Sequence, residues 1–297
     1  MAYAKPPATA PDKDVTPRKR SVGMLMLRYL WHDKKASVGL FVLVVFSLAA
    51  MFAPWVTSYD PKSMEFEMLQ SPSSTHLFGV DDLGRDLFSR IVYGARTSLF
   101  VGLSTVALSL VLGVLMGLVA GYYGGWLDTI IMRYIDLQWA FPNFIIAVYL
   151  VAVFGAGLLN VVIAISLAFL DDFARITRGM VLSIREEEYV ASARALGASS
   201  KRILLKHILP NSLAPIIVTA TVSIAYAILA EAGLSFLGLG VKPSTPTWGL
   251  ILSDARSFFS RAWWLGVFPG AAIMLVVLSI NFLGDTLRDL FDVREYQ

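Results

Sequence analysis

The 297-residue chain contains no cysteine. Disulfide bonds, thiolate zinc sites and cysteine nucleophiles are therefore excluded. Only three histidines are present, and His32, His76 and His207 are too scattered to predict a metal cluster. Charged residues make up 16% of the chain and hydrophobic residues 56%. Because a soluble core of this size cannot bury so much apolar side chain, the composition predicts a membrane protein.

A phosphate-binding loop of the form G-x-x-x-x-G-K-[ST] is also missing from the sequence. The chain by itself is therefore expected neither to bind nor to hydrolyse ATP. No catalytic residue and no bound cofactor are predicted, so any energy from ATP must come from a partner.

Long stretches without Asp, Glu, Lys or Arg are present instead. A helix needs roughly 20 apolar residues to cross about 30 Å of hydrocarbon. The stretch 137–170 is too long for one crossing, and Gly155, Gly157 and Asn160 predict a turn near its middle. The sequence therefore predicts an all-α membrane protein with six transmembrane helices, near residues 37–57, 98–120, 136–155, 158–177, 211–231 and 265–285.

The distribution of basic residues predicts the orientation. Ahead of the first span, Lys and Arg outnumber Asp, so the positive-inside rule places the N-terminus in the cytoplasm. Six spans return the C-terminus to the same side. The first apolar stretch lacks a clear cleavage site, which predicts a retained anchor in the inner membrane. The net charge of +3 is explained by this topology, and no nucleic-acid partner is predicted.

These spans divide the chain into segments. The predicted segments are a cytoplasmic tail at 1–35, a first transmembrane helix at 36–57, an extracytoplasmic loop at 58–96, a five-helix core at 97–285 and a cytoplasmic tail at 286–297.

Two outer segments have a helical character. From Arg85 the apolar residues recur at helical spacing, so this segment either lies flat at the interface or extends the second span. Residues 232–264 predict one or two short helices joined by turns, because glycines and prolines interrupt them. Trp263 and Trp264 are typical of an aromatic belt.

Residues 186–210 predict a structured cytoplasmic hairpin. Three consecutive glutamates suit the N-terminus of a helix. Gly197 ends this helix in a left-handed cap, and Ser200 caps a second helix that runs to Pro210. Tyr189, Ala193 and Leu196 share one face of the first helix. By spacing alone, an ordinary amphipathic loop between two spans is the favoured interpretation, and the structured hairpin is the alternative.

The runs Tyr189-Val-Ala-Ser-Ala-Arg-Ala-Leu-Gly197 and His207-Ile-Leu-Pro210, nine residues apart, resemble the EAA loop of ATP-binding-cassette importer permeases. Ala191, Ser192 and His207 depart from that motif. The resemblance implies that the hairpin docks on an ATPase. The residues that it assigns to docking are Tyr189, Ala191, Ser192, Ala193, Arg194, Leu196, Gly197, Leu209 and Pro210.

A second resemblance covers the chain from about residue 76 to its end. The runs beginning at His76, Tyr93, Leu234, Phe268 and Asn281 are similar to C-subunit permeases of dipeptide and oligopeptide importers. This resemblance implies a heterodimer with a B-type permease, two cytoplasmic ATPase subunits that bind ATP-Mg, and an extracytoplasmic substrate-binding protein. Nickel or glutathione is the alternative cargo. A secondary carrier or channel, and a structural scaffold, are the alternative functions.

Three residues are candidates for the substrate path. Phe141-Pro142 predicts a kink in the third span, which is either structural or borders the path. Glu231 marks the outer end of the fifth span. Exposure at the interface is the favoured interpretation of Glu231, and contact with a peptide ammonium group is the alternative.

Further charges lie near the inner ends of the spans. Asp171 and Asp172 are candidates for a functional role because of their depth in the membrane. Pairing at helical spacing with Arg175 and Arg178 on their own helix is the favoured interpretation. A cytoplasmic extension of the third span is expected to carry Asp128, Arg133 and Asp136.

Overall fold

The computed structural model describes residues 33–295, with side chains described as far as Phe291. Residues 1–32 of the predicted N-terminal tail, including His32, lie outside this part of the chain. The predicted C-terminal tail is described as far as residue 295, where it continues the last helix.

The described residues form eleven α-helices. Their bounds are α1 Lys34–Met51, α2 Ala53–Val56, α3 Leu87–Tyr123, α4 Gly125–Trp139, α5 Asn143–Phe154, α6 Leu158–Ile184, α7 Glu188–Ala195, α8 Ser200–Ile203, α9 Leu209–Phe236, α10 Trp248–Ala255 and α11 Trp264–Glu295. A π-helical turn, Leu204–Ile208, joins α8 to α9. The prediction of an all-α protein is confirmed.

Four helical segments are long and apolar enough to cross a membrane, namely α1, α3, the continuous stretch Ser200–Phe236, and α11. A fifth is obtained if α4 and α5 together form one span, although they are bent by 93° at the break between them. Helix α6 carries four charged residues along its C-terminal half, and its crossing stays a prediction. The third span is therefore not the single helix expected near residues 136–155.

The core of the fold is the packing of α3 on α6. Gly113, Gly117 and Gly121 recur every fourth residue of α3 and bring its backbone against α6. Small residues at this spacing let helix backbones approach closely in a membrane. Ser109 Oγ donates to the carbonyl of Ser166 at 3.0 Å, and Ser166 Oγ donates back to the carbonyl of Thr105 on α3 at 3.1 Å.

The end of the bundle at the start of α3 is held by a buried ionic network. Asp81 accepts from Arg85 Nε at 2.6 Å and also pairs with Arg90, whose side chain is 1% exposed. Asp254 on α10 faces both guanidinium groups, at 3.4 Å from Arg85 and 3.2 Å from Arg90. Buried charges need partners because desolvation is costly, so the network fixes the outer loop and α10 to the start of α3.

Two tryptophans complete this end of the bundle. Trp248 is fully buried, and its indole N–H donates to the carbonyl of Ile91 on α3 at 3.0 Å. Trp264 is buried and donates to the carbonyl of Val80, whereas Trp263 is half exposed. Trp264 therefore anchors the outer loop, which differs from its expected place in an aromatic belt.

The segment after Arg85 continues directly into the second span. Helix α3 has 37 residues, which makes it about 55 Å long at about 1.5 Å per residue. Ser89, Arg90 and Ile91 in its first turns are buried. Of the two alternatives, the structure agrees with an extension of the span.

The turn at Gly155 is confirmed. Gly155 has φ +87°, and the Asn160 side chain donates to the carbonyls of Phe154 and Gly155 at 2.8 and 3.0 Å. Residues 237–263 contain one short helix, α10, between turns, as the glycines and prolines predicted.

Candidate coupling hairpin

The first helix of the hairpin (residues 186–210) ends in a Schellman motif. Gly197 lies just after α7 with φ +79°. Its N–H donates to the carbonyl of Arg194, and the N–H of Ala198 donates to the carbonyl of Ala193, each at 3.0 Å. These two bonds are the pair that defines the motif, and glycine tolerates the left-handed backbone without a Cβ penalty.

The second helix begins one residue earlier than predicted. Ser199, not Ser200, is the N-cap of α8, and its hydroxyl accepts from the backbone N–H of Arg202 at 3.4 Å. The helix also does not end at Pro210. It continues through the π-helical turn into α9, so residues 200–236 form one helical stretch.

Pro210 has a local role at this junction. Proline lacks the backbone N–H that an α-helix needs, and π-turns accommodate such irregularities inside longer helices. The π-helical turn ends two residues before Pro210, and the N–H of the intervening Leu209 donates to the carbonyl of Leu204. The hairpin and the span are joined without an intervening loop.

The hairpin packs against the bundle through an apolar face. Val190, Ile203 and Ile208 are at most 1% exposed and belong to the same apolar cluster as Phe173 of α6. The opposite face is open, since Tyr189 is 44% exposed and Leu196 is 88% exposed. Burial of one face fixes the hairpin and leaves the other available for a protein contact.

The nine predicted docking residues are distributed between the buried and the exposed parts of the hairpin. Six of them are exposed on or beside α7: Tyr189, Ala191, Ser192, Arg194, Leu196 and Gly197. Ala193 is half buried beneath them. Leu209 is also half buried, and Pro210 is exposed at the start of α9. Their role in docking stays a prediction.

Sequence reasoning missed two residues that tie the hairpin to the bundle. Asn211 of α9 donates to the Tyr189 hydroxyl at 3.2 Å and to the carbonyl of His207 at 2.6 Å. Arg185 donates to the carbonyl of Gly121, in the last turn of α3, at 2.8 Å. A cation at a helix C-terminus satisfies free carbonyls there. Neither residue belongs to a recognisable motif, although Asn211 directly follows the Leu-Pro pair.

The expected pairing of charges on α6 is wrong. Arg178 makes a bidentate pair with Asp128 of α4, both contacts at 2.6 Å. Arg175 pairs with Asp136 of α4 at 2.6 Å and lies 4.0 Å from the centre of the Trp139 ring. Both arginines therefore reach across to α4, which is a separate helix and not an extension of the third span.

The three candidate path residues have different surroundings. Phe141 and Pro142 are exposed at the break between α4 and α5, so the predicted kink is a sharp bend. Glu231 is fully buried and accepts from Ser235 Oγ at 2.7 Å, with Ser98 and Thr247 as its other polar neighbours. The expectation that Glu231 is exposed at the interface is wrong, because α3 and α10 cover it.

Comparison with known proteins places this architecture in a family. The family of binding-protein-dependent transport system inner membrane components matches residues 113–295, and the N-terminal transmembrane domain of oligopeptide transport permease C matches residues 21–72. The chain belongs to this permease family. It is a multi-pass inner-membrane protein and a C-type permease of an ATP-binding-cassette importer, as the resemblance indicated.

Three curated relatives are similar to the permease over most of its length. The dipeptide transport system permease protein DppC of Alkalihalophilus pseudofirmus is 48% identical over 89% of this chain and 88% of its own length. The di/tripeptide permease protein DppC of Pseudomonas aeruginosa is 45% identical over 88% of each. The glutathione transport system permease protein GsiD of Escherichia coli is 42% identical over 96% of this chain and 93% of its own.

A solved structure shares the fold of the permease. The inward-facing MetNI methionine ABC transporter aligns with a TM-score of 0.58 at 18% identity, over 69% of this chain and 97% of the other. At this identity the likeness concerns architecture alone. The permease thus has the type I importer fold.

Proposed function

We propose that the chain forms the translocation path of an ATP-driven importer of di- or oligopeptides together with a second, B-type permease. Two cytoplasmic ATPase subunits supply the energy, and an extracytoplasmic binding protein supplies the substrate. The observation that carries the proposal is the hairpin, which has one face buried on the bundle and the other exposed at Tyr189 and Leu196. The names of the relatives support the peptide cargo.

The proposed mechanism is conformational. ATP-driven closure of the ATPase pair pushes on α7, and the push reaches α9 through the continuous helix from residue 200 to 236 and through the Tyr189–Asn211 hydrogen bond. For this to change the state of the permease, the ATPases must bind one arrangement more tightly than the other, because equal affinity shifts nothing.

Reconstitution tests this function. In proteoliposomes that contain both permeases and the ATPase pair, uptake of a labelled dipeptide is expected only with the binding protein and ATP. The purified chain alone is expected to show no ATP turnover. Dipeptide uptake driven equally well by an ion gradient without ATP would indicate a secondary carrier instead.

Glutathione is the second candidate cargo, because relatives at 42–43% identity are named glutathione permeases. A competition assay separates the two cargoes. Unlabelled glutathione is expected to leave dipeptide uptake unchanged, whereas a dipeptide competitor reduces it. If glutathione reduced the uptake and the dipeptide competitor did not, the importer would be assigned to glutathione.

The proposed orientation places the hairpin in the cytoplasm and the ionic network outside. Because the chain has no native cysteine, single cysteines report sidedness without background. Ser200→Cys is expected to react with an impermeant maleimide only from the cytoplasm, and Ser73→Cys and Ser244→Cys only from outside. Labelling of any one from the other side would contradict the six-span topology.

A further inference from the structure

A cavity of about 580 Å³ lies at the outer end of the protein. One wall is the segment 54–62 after α1, a second is the outer half of α3 at Tyr93, Arg96 and Thr97, and the third is the loop 244–246 before α10. This volume is within the range of roughly 300–1,000 Å³ that is typical of sites for small ligands.

The walls of this cavity carry polar groups without partners. Within the described residues, the Arg96 guanidinium and the Lys62 ammonium make no ion pair and no side-chain hydrogen bond. The Tyr93 hydroxyl is likewise not engaged in that part of the chain. Asp60 is the one carboxylate in the lining, and it accepts from the backbone N–H of Lys62 at 2.8 Å. The cavity therefore presents an excess of positive charge and free donors.

A second, smaller cavity of about 290 Å³ shares part of this wall. Lys62 and Ser244 line both cavities, and the smaller one adds the apolar side chains of Met64, Leu83 and Pro243. The guanidinium groups of the ionic network also border it. Since that network is buried and paired, the two cavities are held in a fixed arrangement in which a cationic lobe adjoins an apolar one.

We propose that this outer cleft binds the C-terminal end of a short peptide before translocation. Arg96 and Lys62 bind the terminal carboxylate, which is a charge-assisted interaction, and the apolar lobe holds the last side chain. A small ligand is favoured over the acidic surface of a protein, because the unpaired donors line a concave cavity. The inference rests on the proposed function, since it names where a peptide cargo first contacts the permease.

Peptide binding to the membrane-embedded protein tests the inference. The full chain, with the subunits that copurify with it but without the binding protein, is placed in lipid nanodiscs. Tritiated trileucine and trileucine amide are the two probes. The amide, which lacks the carboxylate, is expected to bind about tenfold more weakly or worse, since a hydrogen-bonded charge contributes about 1.5–3 kcal/mol. Equal binding of the two probes would overturn the proposal.

Variants assign the effect to the cleft. Arg96→Gln and, independently, Lys62→Gln are expected to weaken trileucine binding by about tenfold and to leave the amide unaffected. Arg261→Gln removes an exposed charge from the turn before α11, outside the cleft, and is the matched control that should bind like the wild type. If both cleft variants bind trileucine normally, the proposal is wrong.

Two further outcomes separate this inference from its alternatives. If Arg96→Gln leaves trileucine binding intact but weakens capture of the binding protein, the cleft is a protein contact and not a peptide site. If the wild type imports peptides and both cleft variants import them equally well at limiting concentrations, the inference fails while the proposed function stands. Absence of peptide uptake by the wild type would refute the proposed function itself.

Discussion

The contact between α3 and α6 is sensitive to a single methyl group at Gly117. A Cβ at this position would lie 2.5 Å from the carbonyl oxygen of Ala174 and 2.6 Å from Cβ of Thr177. The Ala174 oxygen is a backbone atom and the Thr177 Cβ is bonded directly to the backbone, so neither atom can rotate away. Gly117→Ala therefore requires the two helices to move apart.

Two opposing effects set the size of the change. Alanine is favoured over glycine in a helix by about 1 kcal/mol. Overpacking of a close contact typically costs about 1–3 kcal/mol, and separation of the helices also lengthens the hydrogen bonds from Ser109 to Ser166 and from Ser166 to Thr105. We expect the second effect to exceed the first, with a net loss of about 1–2 kcal/mol in the free energy of unfolding.

Gly179→Ala is the matched control, because Gly179 lies in α6 and has no atom within 4 Å of the added Cβ. This variant gains the helix propensity without the clash and is expected to be unchanged or up to about 1 kcal/mol more stable. Unfolding of both variants is measured by circular dichroism in mixed micelles with increasing sodium dodecyl sulfate. If Gly117→Ala proves as stable as Gly179→Ala, close backbone packing does not hold these helices together.

Three other perturbations follow from the structure. Gly197→Val is expected to insert normally but to bind the ATPases more weakly, because the turn then carries about 1–3 kcal/mol of local strain. Gly197→Asn tolerates positive φ and is expected to bind the ATPases nearly normally. Pull-down of the ATPases measures both, and equal capture by the two variants would contradict the assigned role of the turn. Asp128→Asn and Arg178→Gln are expected to show a coupling of about 0.5–1 kcal/mol in a double-mutant cycle of unfolding, and strictly additive effects would argue against the pair. Burial and two neighbouring carboxylates raise the pKa of Asp82, so its charge destabilises the folded state above that raised pKa and the penalty disappears as the pH falls through it. Asp82→Asn is therefore expected to raise the melting temperature at neutral pH and not at pH 3, and an equal shift at both pH values would refute this explanation.

Features with a local cause could be predicted from the sequence. Gly197 marks the end of α7 because only a residue without Cβ adopts the left-handed turn easily, and the cap lies where that rule placed it. The turn near Gly155 and the interruption of the outer segment by glycine and proline have the same origin. Each depends on the backbone conformations that one or two residues can adopt, and these follow from the residue type.

Features that depend on packing could not be predicted in the same way. The spacing of Arg178 from Asp171 suggested a pair on one helix, yet its partner is Asp128, fifty residues away in the sequence. Glu231 lies near the end of an apolar run, which suggested exposure, but a short helix beyond the next turn covers it. Such partners are set by which faces of the helices meet, and the spacing of residues along one helix does not specify this.

The contact made by the glycine repeat on α3 could be predicted only in part. A repeat every fourth residue indicates a close helix contact, and the repeat is visible in the sequence, but the helix that it contacts is not. The structure identifies α6 as that helix, and α6 leads within three residues into the hairpin. The most closely packed interface of the bundle is therefore also the one that leads to the candidate coupling element.

This connection bears on how a push on the hairpin is transmitted. On one side, α7 follows α6 through a three-residue turn in which each N–H donates to a carbonyl of the last turn of α6, and Arg185 in that turn holds the end of α3. On the other side, α8 runs into α9 as one helix. A force on the exposed face at Leu196 therefore reaches α6 and α9 through short, hydrogen-bonded connections. The glycines of α3 pack its backbone tightly against α6, whereas α9 begins next to the exposed Pro210. We therefore expect α9 to move relative to the α3–α6 pair.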